Sequence, residues 1–301
     1  MMTINARNNE NQMIFTMVEK GCTTAELKKS VMQLTPTGLE QLLADGIFHH
    51  IARYAMNVDM VTWIAGVIGN VDVPDSFGET ALIHAMRGKN RIAVRRLLEL
   101  GASTSCRDNL GRTPFLYAVI AGDSAMMEIL HEFGANPFAV DQQGNSAFHL
   151  AAMYCSDPAC FEYLHSIGCK KDIFNFRNES PVDVVSCNRY PKIPLDFLLE
   201  HGCQLRKDIL FRSAAGKQYH YLLFLLKSGF VRDLDSVDSA RLVQKLKVDR
   251  VSFLEENTLQ KCSETGVAGM NDWSDDEECV VDQILNILAP ETSAAPLIRT
   301  E

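Results

Sequence analysis

The sequence predicts an all-α fold, a solenoid of short helix pairs, and three observations carry that expectation. Residues 75–107 and 108–140 are two copies of one pattern at a period of 33 residues, and a third copy occupies 141–174. Each copy holds two stretches with helical periodicity. Each closes on a glycine, at Gly101, Gly134 and Gly168. Self-similarity at a period of about 20 to 50 residues marks supersecondary units that bury their apolar faces against their neighbours.

Within a copy each matched position has a physical task. From Asp75 the chain reads DSFGETALIHAMRGKNRIAVRRLLELGASTSCR, and from Asp108 DNLGRTPFLYAVIAGDSAMMEILHEFGANPFAV. Gly78, Gly111 and Gly144 suit a tight turn at positive φ. The hydroxyls of Thr80, Thr113, Ser146 and Ser180 are placed to cap the helix that follows. Pro114 and Pro181 stand at its first position, where no donor is missed. Small pairs, Ala118-Val119 and Ala151-Ala152, let neighbouring first helices approach. The second helix carries an apolar stripe, Met126, Ile129, Leu130 and Phe133, then Cys160, Tyr163, Leu164 and Ile167. Gly101, Gly134, Gly168 and Gly202 end it in a left-handed cap.

This pattern resembles the ankyrin repeat, D-x-x-G-x-T-P-L-H-x-A-A, then a second helix and a closing G-A. The resemblance implies an ankyrin-repeat solenoid of helix pairs with short β-turn fingers, flanked by extra helices. It is specific over 75–174 and weaker over 46–74 and 175–230. His149 occupies the histidine position of the motif, where a structural role through hydrogen bonds to neighbouring turns is usual; Ile83, Leu116 and Asp183 replace it in other copies.

Residues 1–45 are read as an N-terminal helical cap, because the end of a solenoid must cover one apolar face and present a polar one. Thr23-Thr24 before Glu26 marks one helix start, and Thr37-Gly38 before Leu39 another. Residues 46–74 form a degenerate copy, with Phe48-His49-His50-Ile51-Ala52 as first helix and Gly69 as its close. Copies at 175–207 and 208–230 decay further: Asn178 takes the turn position, and Pro191 and Pro194 force a break before a shortened second helix. The solenoid thus spans 46–230, C-terminal helices occupy 231–258, and 259–301 is a largely flexible acidic tail with a short amphipathic helix. Six acidic residues and no basic one fall between Asn271 and Asp282.

The formal charge of -9 over 301 residues argues against non-specific nucleic-acid binding. The first residues lack the basic start and apolar run of a signal peptide. The most apolar windows, near Met60–Val71 and Tyr221–Leu226, are too short to span a bilayer. Nine cysteines show no disulfide or metal spacing, which points to a reducing compartment, the cytoplasm or the nucleus. The Cys/His run His149, Cys155, Cys160, His165 and Cys169 lacks zinc-site spacing, and no phosphate loop or nucleophile motif occurs, so no catalytic residue, metal or cofactor is assigned. Arg87, Lys89, Arg91, Arg95 and Arg96 are read as mostly a solvated outer face.

The expected function is a non-enzymatic monomer that binds a partner protein through its concave face, as adaptor, scaffold or inhibitor. By the resemblance, partner contacts fall at the turn tips and the exposed end of each first helix: Phe77, Glu79, Arg87, Leu110, Arg112, Ile120, Gln143, Met153, Tyr154 and Arg177. The alternative is an effector of an intracellular bacterium or virus, acting in host cytosol. No F-box or SOCS-box pattern supports a degradation adaptor. In the tail, Trp273 and Ser274 precede an apolar stripe that includes Val281, Ile284 and Leu288. That segment is read either as a partner-binding motif folding on contact or as a helix docked on the solenoid's own end.

Overall fold

The computed structural model describes residues 2–206, 208–215, 218–227, 238–247 and 275–288, and all regular structure among them is helical. The chain forms two compact units, residues 1–200 and 201–301. The helix pair expected at 208–230 therefore belongs to the second unit, not to the body that holds the clear copies.

Three helices open the first unit, α1 (Met2–Glu19), α2 (Thr24–Met32) and α3 (Pro36–Ala44). Thr23 caps α2 reciprocally: its N–H donates to Glu26 Oε2 at 2.8 Å and its hydroxyl accepts from Glu26 N at 3.2 Å. The cap of the next helix lies two residues before the expected Thr37. Thr35 is the cap, accepting from Gly38 N at 3.1 Å, because Pro36 is already suited to the first helical position.

Four helix pairs follow: α4 (Ile47–Tyr54) with α5 (Val58–Ile68), α6 (Ala81–Arg87) with α7 (Arg91–Glu99), α8 (Pro114–Ala121) with α9 (Ser124–Glu132), and α10 (Ala147–Tyr154) with α11 (Pro158–Ser166). First helices pack on first helices along the row, α4 on α6, α6 on α8, α8 on α10. Enclosed on both sides, they are apolar nearly all round: every residue of α8 from Pro114 to Val119 is buried. The second helices bury one face only, and that face is rotated from the expected stripe. It holds Met126, Met127 and Leu130 in α9, and Cys160, Phe161 and Leu164 in α11. Phe133, expected inside, is exposed. After α9 the chain reverses at Gly134, φ 81°, and Ala135 N donates back to Leu130 O at 2.9 Å.

The copy beginning at 175 departs from expectation twice. No α-helix follows Ser180 and Pro181; a turn leads into a 3-10 helix, Val185–Cys187. Its second helix, α12 (Lys192–Glu200), is not shortened, having nine residues like α7, α9 and α11. Pro191 precedes it and Pro194 lies in its first turn, where backbone N–H groups have no intrahelical acceptor to lose.

In the second unit α13 (Asp208–Ala215) packs on α14 (Tyr219–Lys227), 238–247 forms α15, and α16 (Asp275–Leu288) packs on α14. Val280, Val281 and Ile284 of α16 are buried, and Lys227 Nζ donates to Gln283 Oε1 at 2.6 Å. Among the described residues no helix is long and apolar enough to cross a membrane.

Candidate partner-binding face

The face is built from fingers, and each finger is built around one side chain. Asp75 Oδ1 accepts the N–H groups of Phe77 and Glu79 at 2.8 and 2.9 Å. Asp108 does the same for Leu110 and Arg112, Asp141 for Gln143 and Asn145, and Asn175 for Arg177 and Glu179. The loop thus closes on a side-chain oxygen in place of a strand partner. Neighbouring fingers are joined by single backbone bonds of 2.9 Å: Asn109 N to Phe77 O, Gln142 N to Leu110 O, Phe176 N to Gln143 O. Gly111 turns at φ 74°, and a Cβ there would stand 2.9 Å from Gln142 N, so both conformation and contact demand glycine.

Caps and histidines connect fingers to helices. Thr113 accepts from Leu116 N at 3.4 Å, whereas the Thr80 hydroxyl, expected to cap α6, is buried without a partner. Ser180 caps no helix; its N–H and hydroxyl donate to Asp183 Oδ2 at 2.8 and 2.9 Å. At Ser146 the ring of His149 assists: Nδ1 accepts from Ser146 N at 3.2 Å, and Nε2 donates to Glu179 O of the next finger at 2.9 Å. Burial keeps this imidazole below its usual pKa. His49 does similar work in the first copy, donating from Nε2 to Val73 O at 2.9 Å.

Between the second and third fingers, those of Asp108 and Asp141, lies a groove of about 140 Å³ lined by Leu110, Arg112, Ile120, Gln143, Met153 and Tyr154, among others. Six of the ten expected contact residues therefore meet in one place. Leu110 and Tyr154 are 53% and 57% exposed, Gln143 is exposed, and Ile120 and Met153 are half-buried. Phe77, 67% exposed, stands at the tip of its own finger, and Arg177 is exposed on a later one.

Glu79 must be removed from the contact set, because it is only 4% exposed. Its carboxylate takes Arg87 Nη1 at 2.7 and 2.8 Å and the Tyr117 hydroxyl at 2.8 Å. The same hydroxyl lies 2.8 Å from Asp108 Oδ2, which also accepts Arg112 Nε at 2.8 Å. Burial, then the Glu79 and Asp108 carboxylates, push the Tyr117 phenol far up, so it stays protonated and donates. Arg112 lies over the Tyr117 ring at 4.7 Å, which makes it a brace of the finger as much as a surface group. Among the described residues Asp75, Glu79 and His84 bring three metal-capable atoms within 4.8 Å of one another. His84 Nε2 donates to Asp75 Oδ2 at 2.9 Å, so this trio is already bound together by hydrogen bonds and Arg87.

The outer helices are laced by ion pairs, Arg91 to Asp123 at 2.8 Å, Arg95 to Glu132 at 4.0 Å and Arg96 to Glu99 at 3.0 Å. The Cys/His run is dispersed, all of it in the core except the exposed His165. Cys155, Cys160 and Cys169 are buried free thiols; the Cys155 sulfur and burial hold the Cys160 thiol protonated, and burial pushes Cys169 up to about 11. In the tail, Val281 and Ile284 are buried and Leu288 is half-buried, while Trp273 and Ser274 lie outside the described residues. Most of the expected 231–258 segment and the polar stretch after it lie outside them too.

Sequence reasoning missed two asparagines that seal helix ends. Asn90 Nδ2 donates to Ala52 O and Ala55 O at 3.2 and 2.7 Å, and Asn188 Nδ2 to Ala152 O and Cys155 O at 3.0 and 2.7 Å. Both satisfy carbonyls at the C-terminus of the preceding copy's first helix. Their signal was weak, a polar residue some 36 positions after its partners. The aspartates at 75, 108 and 141 gave a stronger one, a strict period.

A family model described as ankyrin repeats, in three copies, matches residues 48–141 and 93–175. The chain is 28% identical over 162 residues to SH3 and multiple ankyrin repeat domains protein 2 of Homo sapiens, covering 42% of this chain and 9% of that one. It is 33% identical over 115 residues to B-cell lymphoma 3 protein homolog of Mus musculus, covering 37% and 25%. It is 38% identical over 80 residues to putative ankyrin repeat protein L92 of Acanthamoeba polyphaga mimivirus, covering 26% and 19%. The match spans a quarter or less of each relative's length.

Proposed function

We propose that this chain, which belongs to the ankyrin-repeat family through residues 48–175, is a non-enzymatic adaptor, scaffold or inhibitor that holds a partner protein against the groove between its second and third fingers. Ankyrin repeats are protein-interaction modules, and extended concave surfaces are what such arrays offer. The observation that carries the reading is the convergence of Leu110, Ile120, Met153 and Tyr154 in one groove, apolar and aromatic groups beside the braced Arg112. Interface hot spots favour aromatic residues and arginine in such settings. The chain acts as a monomer in the cytoplasm or nucleus. Its charge of -9 supports a protein partner over nucleic acid.

The test is affinity capture by the full chain against a Leu110→Ala/Tyr154→Ala variant. A partner held by the wild type and lost from the variant, with melting unchanged, is expected. An Arg95→Ala/Arg96→Ala variant should retain it. Retention by the first variant and loss by the second would move the interface to the outer helices and overturn the proposal.

A second reading, an effector acting inside a host cell, is supported by the 38% identity to the mimivirus protein. A translocation assay with the full chain fused to a reporter tests it. Failure to enter host cytosol from an infecting cell or virion would remove it.

A further inference from the structure

A different cavity lies at the N-terminal end of the repeats, of about 740 Å³, where α1 and the α3–α4 junction meet α4, α6 and the first finger. Three carboxylates line it, Glu19, Asp45 and Asp75, against one guanidinium, that of Arg53. Asp45 accepts only from neutral amides, Asn11 Nδ2 and Gln41 Nε2, both at 2.7 Å, so its charge is held in place and not cancelled. Glu19 is exposed, and its Oε1 stands 3.5 Å from His50 Nε2, a buried nitrogen with no hydrogen-bond partner. Arg53 is spent on the Tyr54 ring, 5.3 Å from its centroid. The wall between these charges is aromatic: Phe15 meets His50 edge-on at 4.8 Å, and His50 meets Tyr54 at 4.7 Å.

We infer that this cavity takes an arginine side chain of the bound partner. Like-signed carboxylates around a concavity with low-dielectric walls focus a negative potential that attracts a cation. A guanidinium suits the rest of the site, since it pairs with a carboxylate through a planar fork and stacks on aromatic faces. The Arg53–Tyr54 contact shows that this wall already accepts one. A metal ion fits less well. The Asp75–Glu79–His84 trio borders the cavity, but an ion there must displace the Arg87 guanidinium from Glu79. The inference rests on the partner-binding reading only for whose arginine enters; the chemistry of the cavity is testable without it.

The probe is Nα-acetyl-arginine amide, titrated into the full chain while the histidine ring resonances are followed by NMR. Saturable shifts of His50 and His84 are expected in the millimolar range, with His131 and His165 on the outer helices unmoved. The neutral isostere Nα-acetyl-citrulline amide should leave all of them in place. Glu19→Gln, at an exposed site, should weaken the arginine response about threefold without changing the melting temperature. Absence of the shifts, an equal response to citrulline, or a response to zinc chloride but not to the arginine probe would overturn the inference. Leu110→Ala/Tyr154→Ala should leave the arginine response intact, so loss of partner capture in that variant and loss of this response are separate outcomes.

Discussion

The copies that begin at Asp108 and at Asn175 build the same finger and then part. In both, one side-chain oxygen gathers two N–H groups, at 2.9 and 2.7 Å on Asp108 and at 2.9 and 3.0 Å on Asn175. In both, the fourth residue sits at positive φ, 74° at Gly111 and 58° at Asn178. Beyond that point the first copy forms α8 and the second a turn and a 3-10 helix. After Pro114 stand Phe115, Leu116, Tyr117 and Ala118. After Pro181 stand Val182, Asp183, Val184 and Val185, three stiff β-branched residues and a carboxylate that folds back onto Ser180. Yet Val182, Val184 and Val185 are buried all the same. A finger is specified by two residues, whereas a first helix needs propensity and a packed neighbour on each side.

The hardest way to break the comparison is at its shared turn. Gly111→Val should lose about 3 kcal/mol, through a β-branched side chain at positive φ pressed against Gln142, read as a fall in urea midpoint. An unchanged midpoint would mean that the turn is not what positions α8.

The gathering side chains come next. Asp108→Ala should lose about 2 kcal/mol, since it strands two N–H groups and the Arg112 guanidinium, while Tyr117 keeps Glu79. Asn175→Ala strands the equivalent N–H groups of Arg177 and Glu179 and takes a donor from Asn145 Oδ1 and Glu179 Oε2, but leaves no guanidinium unpaired, and should lose less. Equal losses would show that the Arg112–Asp108 pair adds nothing.

Legibility in the sequence followed the range of the interactions. The period, the finger turns and the helix pairs rest on residues close in the chain, and they were readable from Gly111, Thr113 and Gly134 alone. The groove was legible through the resemblance, which placed Leu110, Met153 and Tyr154 on one face. What the sequence does not show depends on partners apart in the chain: Glu79 reads as a contact, but Tyr117 and Arg87, 38 and 8 residues away, bury it. Thr80 matched Thr113 in type but not in bonding, and Phe133 fell outside because the buried stripe is set by the neighbouring helix.

Smaller effects sharpen the contrast. Thr113→Ala should lose about 1 kcal/mol with its cap, while Thr80→Val should be neutral or stabilising, since that hydroxyl bonds nothing. A loss at both would restore the expected cap at Thr80. His149, which Asp183 replaces in the next copy, adds a pH signature. Its folded pKa is depressed by burial, so the unfolded chain binds the proton more readily. That contribution is complete above about pH 6.5 and falls as pH drops through the folded value. His149→Gln should flatten the decline of the urea midpoint on acidification, and an unaltered slope would assign the decline elsewhere. Asn178→Gly should raise stability by about 0.5 kcal/mol, by relieving a side chain at positive φ. A loss would mean that the asparagine side chain contributes more than its backbone costs.

The fingertip residues have one more property. Phe77, Leu110 and Arg177 each give only a backbone N–H to their finger, and any amino acid except proline supplies that group. Their side chains are exposed and carry no folding task. Substitution there is nearly free of selection for stability, so these three positions can drift, be selected for a new partner, or be randomised in a library while the array beneath them stays folded.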